Sequence, residues 1–158
     1  MTRKSFAATM PRAGLRPSLF DMSYTIGAAA PQLAAEAFIR GERKRRIELD
    51  DFRGSWVVVA YAAPHHDVLA LAQLEEAFGA DGAIVLATTP DDVHEAEARY
   101  SGEPVRFPIL TDVDETRRIT MIVDPGGVVR HVGLRRDPRE TLAALEALVA
   151  APRLTLAA

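Results

Sequence analysis

The stretch SWVVVAYAAPHHDVLALAQLEEAF, residues 55–78, decides the fold of this chain. Its apolar run from Trp56 to Ala63 is typical of a buried central strand. The run ends at Pro64, and beyond it apolar side chains recur at the spacing of a helix, at Leu71, Leu74, Ala77 and Phe78. A buried strand that enters a helix through a short polar loop is where open α/β folds carry binding and reaction sites. The search for a functional site therefore begins at this loop.

The composition excludes several classes of protein. The 158 residues are enough for one domain, and 48% hydrophobic with 26% charged residues are proportions typical of a water-soluble globular protein. A formal net charge of −3 argues against a nucleic-acid partner, and no apolar run approaches the roughly 20 residues of a membrane span. The chain has no cysteine, which excludes disulfides, thiolate metal ligands and thiol nucleophiles.

The two ends of the chain differ from its centre. Residues 1–24 are basic, carry no acid before Asp21 and have no sustained apolar period, so the apolar core of a secretory signal is missing. We interpret them as a flexible N-terminal extension, or as an over-long start with Met22 as the true initiator; the lack of acids also resembles an organellar transit peptide. Residues 151–158 are interpreted as a C-terminal tail. Because no signal is evident, a cytoplasmic location is expected.

Extended segments lie on both sides of the central strand. The predicted strands are Leu33–Ile39, Arg46–Leu49, Ala83–Ala87, Ile119–Val123 and Val128–Val132, with a short apolar segment at Phe107–Leu110. A turn at Gly41 joins the first two into a hairpin, and we interpret the basic residues around it as a solvated tip. The sequence Pro125-Gly126-Gly127 joins the last two into a second hairpin.

Helices are predicted between these strands. The first follows the central strand and ends at Gly79. The second is expected to begin within TTPDD, residues 88–92, with a threonine as its cap. An amphipathic third helix is expected at Pro138–Val149, and a short helical turn at Asp50–Gly54.

The order of these elements is hairpin, strand, helix, strand, helix, hairpin, helix. Strands that alternate with helices predict the α/β class. We expect residues 25–150 to form a thioredoxin-like sandwich, a central mixed β-sheet with helices on both faces and an N-terminal β-hairpin.

Five segments carry the motifs of one family. In chain order they are Ile26-Gly27 with Ala30-Pro31, Ile47–Val58, Thr88–His94, Phe107–Asp112 and Met121–Arg130. From about Ile26 to Val149 the chain resembles the peroxiredoxins, the alkyl hydroperoxide reductase and thiol-specific antioxidant (AhpC/TSA) family. The resemblance implies the thioredoxin-like fold expected above.

The resemblance also implies a reaction. In that family a cysteine thiolate at the start of the helix after the central strand attacks a peroxide and becomes a sulfenic acid. A threonine or serine three residues earlier, an arginine and the helix amides assist it. Counted from Trp56, the cysteine position of this chain is Ala70 and the threonine position is Asp67; counted from Pro64, the cysteine position is Leu71. Neither count supplies a thiol, so peroxidase activity by the family mechanism is excluded.

An ancestral pocket is nevertheless expected. It consists of Pro64, Asp67, Ala70 and Arg118, of which Arg118 matches the family arginine ahead of the hairpin strand. Asp67 and Arg118 are expected to pair across it. Between Asp112 and Arg118 the family carries a further helix, and the short spacing here predicts that this helix is missing or reduced.

His65, His66 and Asp67 form an unusual cluster at the same loop. Two histidines and a carboxylate are ligands for zinc, iron or nickel, or groups for acid–base chemistry, and His94 is expected near the same edge of the sheet. The alternative is that Asp67 caps the helix while both histidines lie in solvent.

We predict a cysteine-less peroxiredoxin-like protein that is inactive as a thiol peroxidase and acts as a binding, regulatory or structural module. Its expected partners are a second copy in a homodimer, another protein or a small ligand; no cofactor, nucleic acid or membrane is expected. The alternative is an antioxidant-family oxidoreductase or a hydrolase with a non-thiol, metal-assisted site at His65, His66 and Asp67.

Overall fold

The computed structural model of the protein describes residues 24–42, 44–134 and 137–151. Its strands are β1 (Ala34–Phe38), β2 (Arg45–Glu48), β3 (Trp56–Ala60), β4 (Ala83–Thr88), β5 (Ile109–Leu110), β6 (Ile119–Val123) and β7 (Val129–Leu134). Its helices are α1 (His65–Gln73), α2 (Glu75–Ala80), α3 (Val93–Tyr100) and α4 (Pro138–Ala150), with a 3-10 helix at Leu49–Phe52. None of these helices is both long and apolar enough to cross a membrane. Of the predicted extension, residues 1–24, and the predicted tail, residues 151–158, only Tyr24 and Ala151 are among the described residues.

The seven described strands form one mixed sheet in the order β2-β1-β5-β4-β3-β6-β7. β3 runs parallel to β4, with Val58 opposite Val85, and antiparallel to β6, with Val58 opposite Ile122. β4 and β5 are parallel, while the pairs β1–β2 and β6–β7 are the two predicted antiparallel hairpins. β3 has a neighbour on each edge and is covered on both faces, which explains why its sequence is continuously apolar.

The two faces of the sheet are covered differently. One face, called here the helical face, packs against all four described α-helices through Val68, Leu71, Phe78, Ala96 and Leu145. The opposite face packs against Leu49 of the 3-10 helix and against irregular segments that include Tyr24 and Val113. Helices therefore lie on both faces, as predicted, but the second face carries only the short 3-10 helix.

Residues 112–118 form no helix, which confirms the prediction from their short spacing. Asp112 opens the segment with a positive φ of 56°, a conformation that aspartate tolerates better than most residues. Val113 then packs against the second face of the sheet. An irregular segment thus connects β5 to β6.

Two helix boundaries differ from the prediction. The backbone leaves helical geometry at Leu74 (φ −104°, ψ 5°), which divides the predicted first helix into α1 and α2. The cap of α3 is Asp92 and not a threonine, because Asp92 Oδ1 accepts a hydrogen bond from the Glu95 amide at 2.9 Å. The Glu95 side chain accepts one from the Asp92 amide at 2.9 Å. This reciprocal capping box satisfies two amides, whereas a threonine cap alone would satisfy one.

Candidate functional site

The loop between β3 and α1 is held by the end of β4. Ala62 in this loop has a positive φ of 52°, which an alanine keeps only when its surroundings fix it. Its amide donates a hydrogen bond to Thr88 Oγ1 at 3.1 Å, and the amide of Ala63 donates one to Thr88 O at 3.1 Å. The fully buried Thr88 therefore positions the chain where it enters α1.

α1 begins earlier than the sequence suggested. Its first residue is His65 and its N-cap is Pro64, so Asp67 lies inside the first turn and is not the cap. The amides of Asp67 and Val68 donate to Pro64 O at 3.0 and 3.1 Å. The proline ring restricts φ to values near the observed −69°, and no side chain caps the first amides of the helix. The carboxylate of Asp67 contacts Arg118 and His66 instead of capping the helix.

Asp67 joins α1 to the start of β6. Its Oδ2 accepts a hydrogen bond from Arg118 Nη2 at 2.9 Å, which confirms the pairing expected from the sequence. Its Oδ1 lies 3.2 Å from His66 Nε2. The Asp67 side chain is 6% exposed, whereas Arg118 is 49% and His66 77% exposed. A buried carboxylate is thus paired with two nitrogen-bearing side chains that reach solvent.

The electrostatics of this arrangement favour an anion at position 67. Burial of a carboxylate costs several kcal/mol, of the order of 3 to 5 kcal/mol when its partner is removed, unless a charge and hydrogen bonds compensate it. Arg118 supplies the charge, and the first turn of α1 supplies the positive end of a helix dipole. Asp67 in turn forms an ion pair with Arg118. The positive potential of the arginine, which would attract an external anion, is therefore partly cancelled.

His65 points away from this pair. Its Nε2 lies 3.3 Å from Glu103 Oε2, and its ring packs edge-on against the buried ring of Tyr100 at 5.2 Å. Glu103 was not singled out in the sequence, since its position between Gly102 and Pro104 resembles an ordinary turn. The two neighbouring histidines therefore have different carboxylate partners.

The metal interpretation of the sequence is not supported by this geometry. His65 and His66 diverge, and His94 lies with Lys44, whose Nζ is 3.3 Å from His94 Nδ1. Across residues 24–42, 44–134 and 137–151 no group of three histidine, aspartate or glutamate side chains is placed to hold a metal ion. His66 contacts Asp67 whereas His65 contacts Glu103, so the two histidines do not share one carboxylate. The metal site at His65, His66 and Asp67 stays a prediction.

The two positions predicted for the ancestral cysteine, Ala70 and Leu71, lie in the middle of α1. Leu71 is 1% exposed and packs in the core under the helical face, while Ala70 is half-buried one turn after Asp67. Both positions remain predictions for the cysteine site. The side chain that contacts Arg118 belongs to Asp67.

Thr120 is a buried polar residue of β6 that the sequence patterns do not single out. It is 2% exposed, and its Oγ1 has no hydrogen-bond partner in the part of the chain that the structure describes. It lies opposite Ala60 in β6, two residues after Arg118. Since alternate residues of a strand face one side, and Ile122 packs under the helical face, Thr120 faces that side too.

A second polar cluster lies on the opposite face of the sheet and was also missed. Tyr24 Oη donates to Glu115 Oε1 at 2.7 Å, and Arg117 donates from Nη2 and Nε to the same carboxylate at 2.9 and 3.0 Å. The hydrogen bonds from Arg117 and Tyr24 lower the pKa of Glu115 to about 2. Burial raises the pKa of Tyr24 and of Tyr61, whose rings meet edge-on at 5.5 Å. This cluster ties the first described residue to the segment that replaces the missing helix.

Comparison with known proteins agrees with this architecture. The model of the AhpC/TSA family matches residues 26–132, and no curated protein matches the chain. The mitochondrial 2-Cys peroxiredoxin from Plasmodium falciparum is similar in structure, with a TM-score of 0.71 and 15% identity over 79% of this chain and 94% of that chain. Mycobacterium bovis AhpC is similar with a TM-score of 0.70 and 22% identity over 80% of this chain and 93% of that chain.

The family match covers well over half of the chain and includes β3, α1 and Arg118. The solved structures share the mixed sheet with its surrounding helices at identities that show the fold alone. The chain contains no cysteine at any position. It therefore belongs to the AhpC/TSA family, and it is a member without the peroxidatic cysteine.

Proposed function

We propose that this protein does not reduce peroxides and acts instead as a binding, regulatory or structural module. The observation that carries the proposal is the pair of Asp67 and Arg118, 2.9 Å apart, in the first turn of α1. The family resemblance implies an arginine beside the reactive thiolate, and the partner of Arg118 in this chain is a carboxylate. Peroxide oxidises a thiolate in two-electron steps, and a carboxylate offers no such step.

The chain lacks the thiol, and its Arg118 is also not available to attract an anionic ligand. Asp67 is nearly buried and neutralises Arg118, so the site carries no surplus positive charge from the arginine. The neighbouring His66 also contacts Asp67 and adds no nucleophile. These contacts support a role in binding through other surfaces of the domain.

The test is peroxide consumption by the purified full chain with a thiol reductant, measured with added Zn²⁺, Fe²⁺ or Ni²⁺ and again with a chelator. We expect no turnover above a protein-free blank in either condition. The matched control is the His65→Ala/His66→Ala double variant, which should be equally inactive. Peroxide turnover that persists in the presence of chelator would overturn the proposal. Peroxide turnover that is abolished both by the chelator and by the double substitution would restore the metal-assisted alternative.

We also propose that the module self-associates as a homodimer, as the family resemblance implies. β7 is the last strand of the described sheet, so its outer edge is not covered by another described strand. Leu134 at its end is 70% exposed, so this edge presents an apolar side chain to a second copy of the chain. Sedimentation equilibrium should give a dimer for the native chain and a monomer for Leu134→Glu; a native chain that remains monomeric at high concentration would contradict this part.

A further inference from the structure

A cleft of about 350 Å³ lies among the helices of the helical face, outside the site described above. Residues of α1 and α2 form one wall, and Glu103, Pro104 and Arg106, beyond the end of α3, form the other. Neither Asp67 nor Arg118 lines it. Its volume falls at the lower end of the range, about 300 to 1,000 Å³, in which proteins hold small organic molecules. The cleft is therefore large enough for a ligand of its own.

Part of the lining is apolar. Leu69 and Ala72 lie three positions apart on α1, so their side chains share one side of the helix, and both are half-buried against the core of the helical face. Pro104 adds an apolar ring from the opposite wall. An apolar group that covers these side chains leaves water, which is favourable. This part of the cleft therefore suits the apolar body of a ligand.

The rest of the lining is chiefly acidic. Glu75 and Glu76 come from the start of α2 and Glu103 from the turn after α3, whereas Arg106 supplies the single arginine of the lining. Glu103 also lies 3.3 Å from His65, which is not part of the lining. Three carboxylates and one guanidinium leave a surplus of negative charge, and a cleft that carries one sign of charge concentrates ligands of the opposite sign.

Glu75 carries a charge that the fold does not fully compensate. It is half-buried, and no hydrogen bond or ion pair joins its side chain to another residue in the part of the chain that the structure describes. Burial raises the pKa of Glu75 against the lowering effect of Arg106, and Glu76 raises it further. A half-buried carboxylate without a close partner is stabilised when a cation is placed beside it.

We propose that this cleft binds a small organic cation, a protonated amine that carries an apolar group. The ammonium faces the carboxylates of Glu75 and Glu103, and the apolar group covers Leu69 and Ala72. An organic anion would meet three carboxylates, and a bare metal ion would leave the apolar wall uncovered. The inference rests on the proposed binding role and goes beyond it, since it gives that role a surface and a chemical class of ligand.

The test is a chemical-shift titration of the isotope-labelled full chain with phenethylamine at neutral pH. Phenethyl alcohol and phenylacetate are the matched controls, because they carry the same ring with no charge or with a negative charge. We expect the amine to shift the amides of residues 69–76 and 103–106 with a dissociation constant of about 1 mM or below, and the controls to bind roughly tenfold more weakly or worse. Equal binding of the amine and the alcohol, or no binding of the amine at about 10 mM, would overturn the inference.

Two variants change the charge of the lining in opposite directions. Glu75→Gln should weaken amine binding about fivefold or more, because it removes a facing charge, and Arg106→Gln should strengthen it about twofold or more, because it removes a repelling one. Glu146→Gln on α4 lies outside the cleft and changes the net charge as Glu75→Gln does, so it should bind the amine like the native chain. Circular dichroism checks that each variant is folded.

Equal affinities of Glu75→Gln and Glu146→Gln for the amine would also overturn the inference. Its failure is distinguishable from that of the proposed function. Peroxide turnover by the native chain would overturn the proposed function and leave the amine titration unchanged, whereas a chain that binds no amine would still be expected to be inactive towards peroxide.

Discussion

At the scale of single residues, Asp67 shows how a charge is retained inside the fold. Its side chain is 6% exposed, and its two oxygens lie near Arg118 and His66. Removal of a partner leaves a buried charge uncompensated, which costs more than the ion pair itself contributes. The stability of the domain should consequently depend on Arg118 even if the site performs no reaction.

We predict that Arg118→Gln lowers the free energy of unfolding by about 2 kcal/mol. The value lies below that of a fully buried pair because the Arg118 side chain is 49% exposed and His66 remains beside Asp67. Urea unfolding at neutral pH measures the change. The matched control is Arg46→Gln, whose pair with Glu48 spans 3.9 Å with both side chains more than half exposed, and which should show no measurable change. Equal losses in the two variants would contradict the prediction.

At the scale of elements, the start of α3 depends on one reciprocal pair. Asp92 and Glu95 each accept a hydrogen bond from the other's amide at 2.9 Å. Asp92→Ala should lower the free energy of unfolding by about 1 kcal/mol, because an amide of the first turn loses its acceptor. Glu95→Gln preserves an acceptor for the Asp92 amide and serves as the control, with a much smaller loss expected. If both variants unfold at the same urea concentration as the native chain, the capping box makes no measurable contribution to the free energy of unfolding.

The elements also show what could be predicted from the sequence. The strands and helices were predictable because apolar periodicity and turn residues are local, as with Pro125-Gly126-Gly127 between β6 and β7. The cap of α3 was assigned to a threonine because Thr88 and Asp92 satisfy the same local rule. Only the structure shows that Thr88 completes β4.

The site was less predictable because its contacts join distant parts of the chain. Asp67 and Arg118 could be paired in advance, since family motifs placed both near the start of α1. The turn of His65 towards Glu103, and the contact of Tyr24 with Glu115, depend on loops whose course has no periodic signal. The start of α1 at His65 is not predictable from capping rules, because its N-cap Pro64 has no side-chain acceptor.

At the scale of the whole molecule, the sheet has one face covered by α-helices and one covered largely by irregular chain. The segment 112–118 and the entry at Tyr24 lie on the second face, where they are joined through Glu115. Since irregular segments lack the internal hydrogen bonds of a helix, they depend on such side-chain contacts for their order. The cover of the second face should therefore be sensitive to the charge of one carboxylate.

We predict that Glu115 makes the stability of the domain depend on pH below 4.5. Its pKa is lowered in the folded protein from the usual 4.5 to about 2, chiefly by the hydrogen bond from Arg117. The carboxylate therefore stabilises the fold fully above pH 4.5, and this contribution is lost as the pH falls towards 2. The side chain is 15% exposed, and the shift corresponds to at most about 3 kcal/mol.

Urea unfolding of the native chain and of Glu115→Gln at a series of pH values between 7 and 2 measures this contribution. The difference between the two proteins should be constant above about pH 5 and should shrink steadily below it, because both then carry a neutral group at position 115. Tyr24→Phe keeps the ring contacts with Tyr61 and Arg117 but removes the donor to Glu115, so it should show a smaller loss with the same dependence on pH. A difference that does not change with pH would mean that Glu115 acts through packing alone, and the second face would then be held by its apolar contacts.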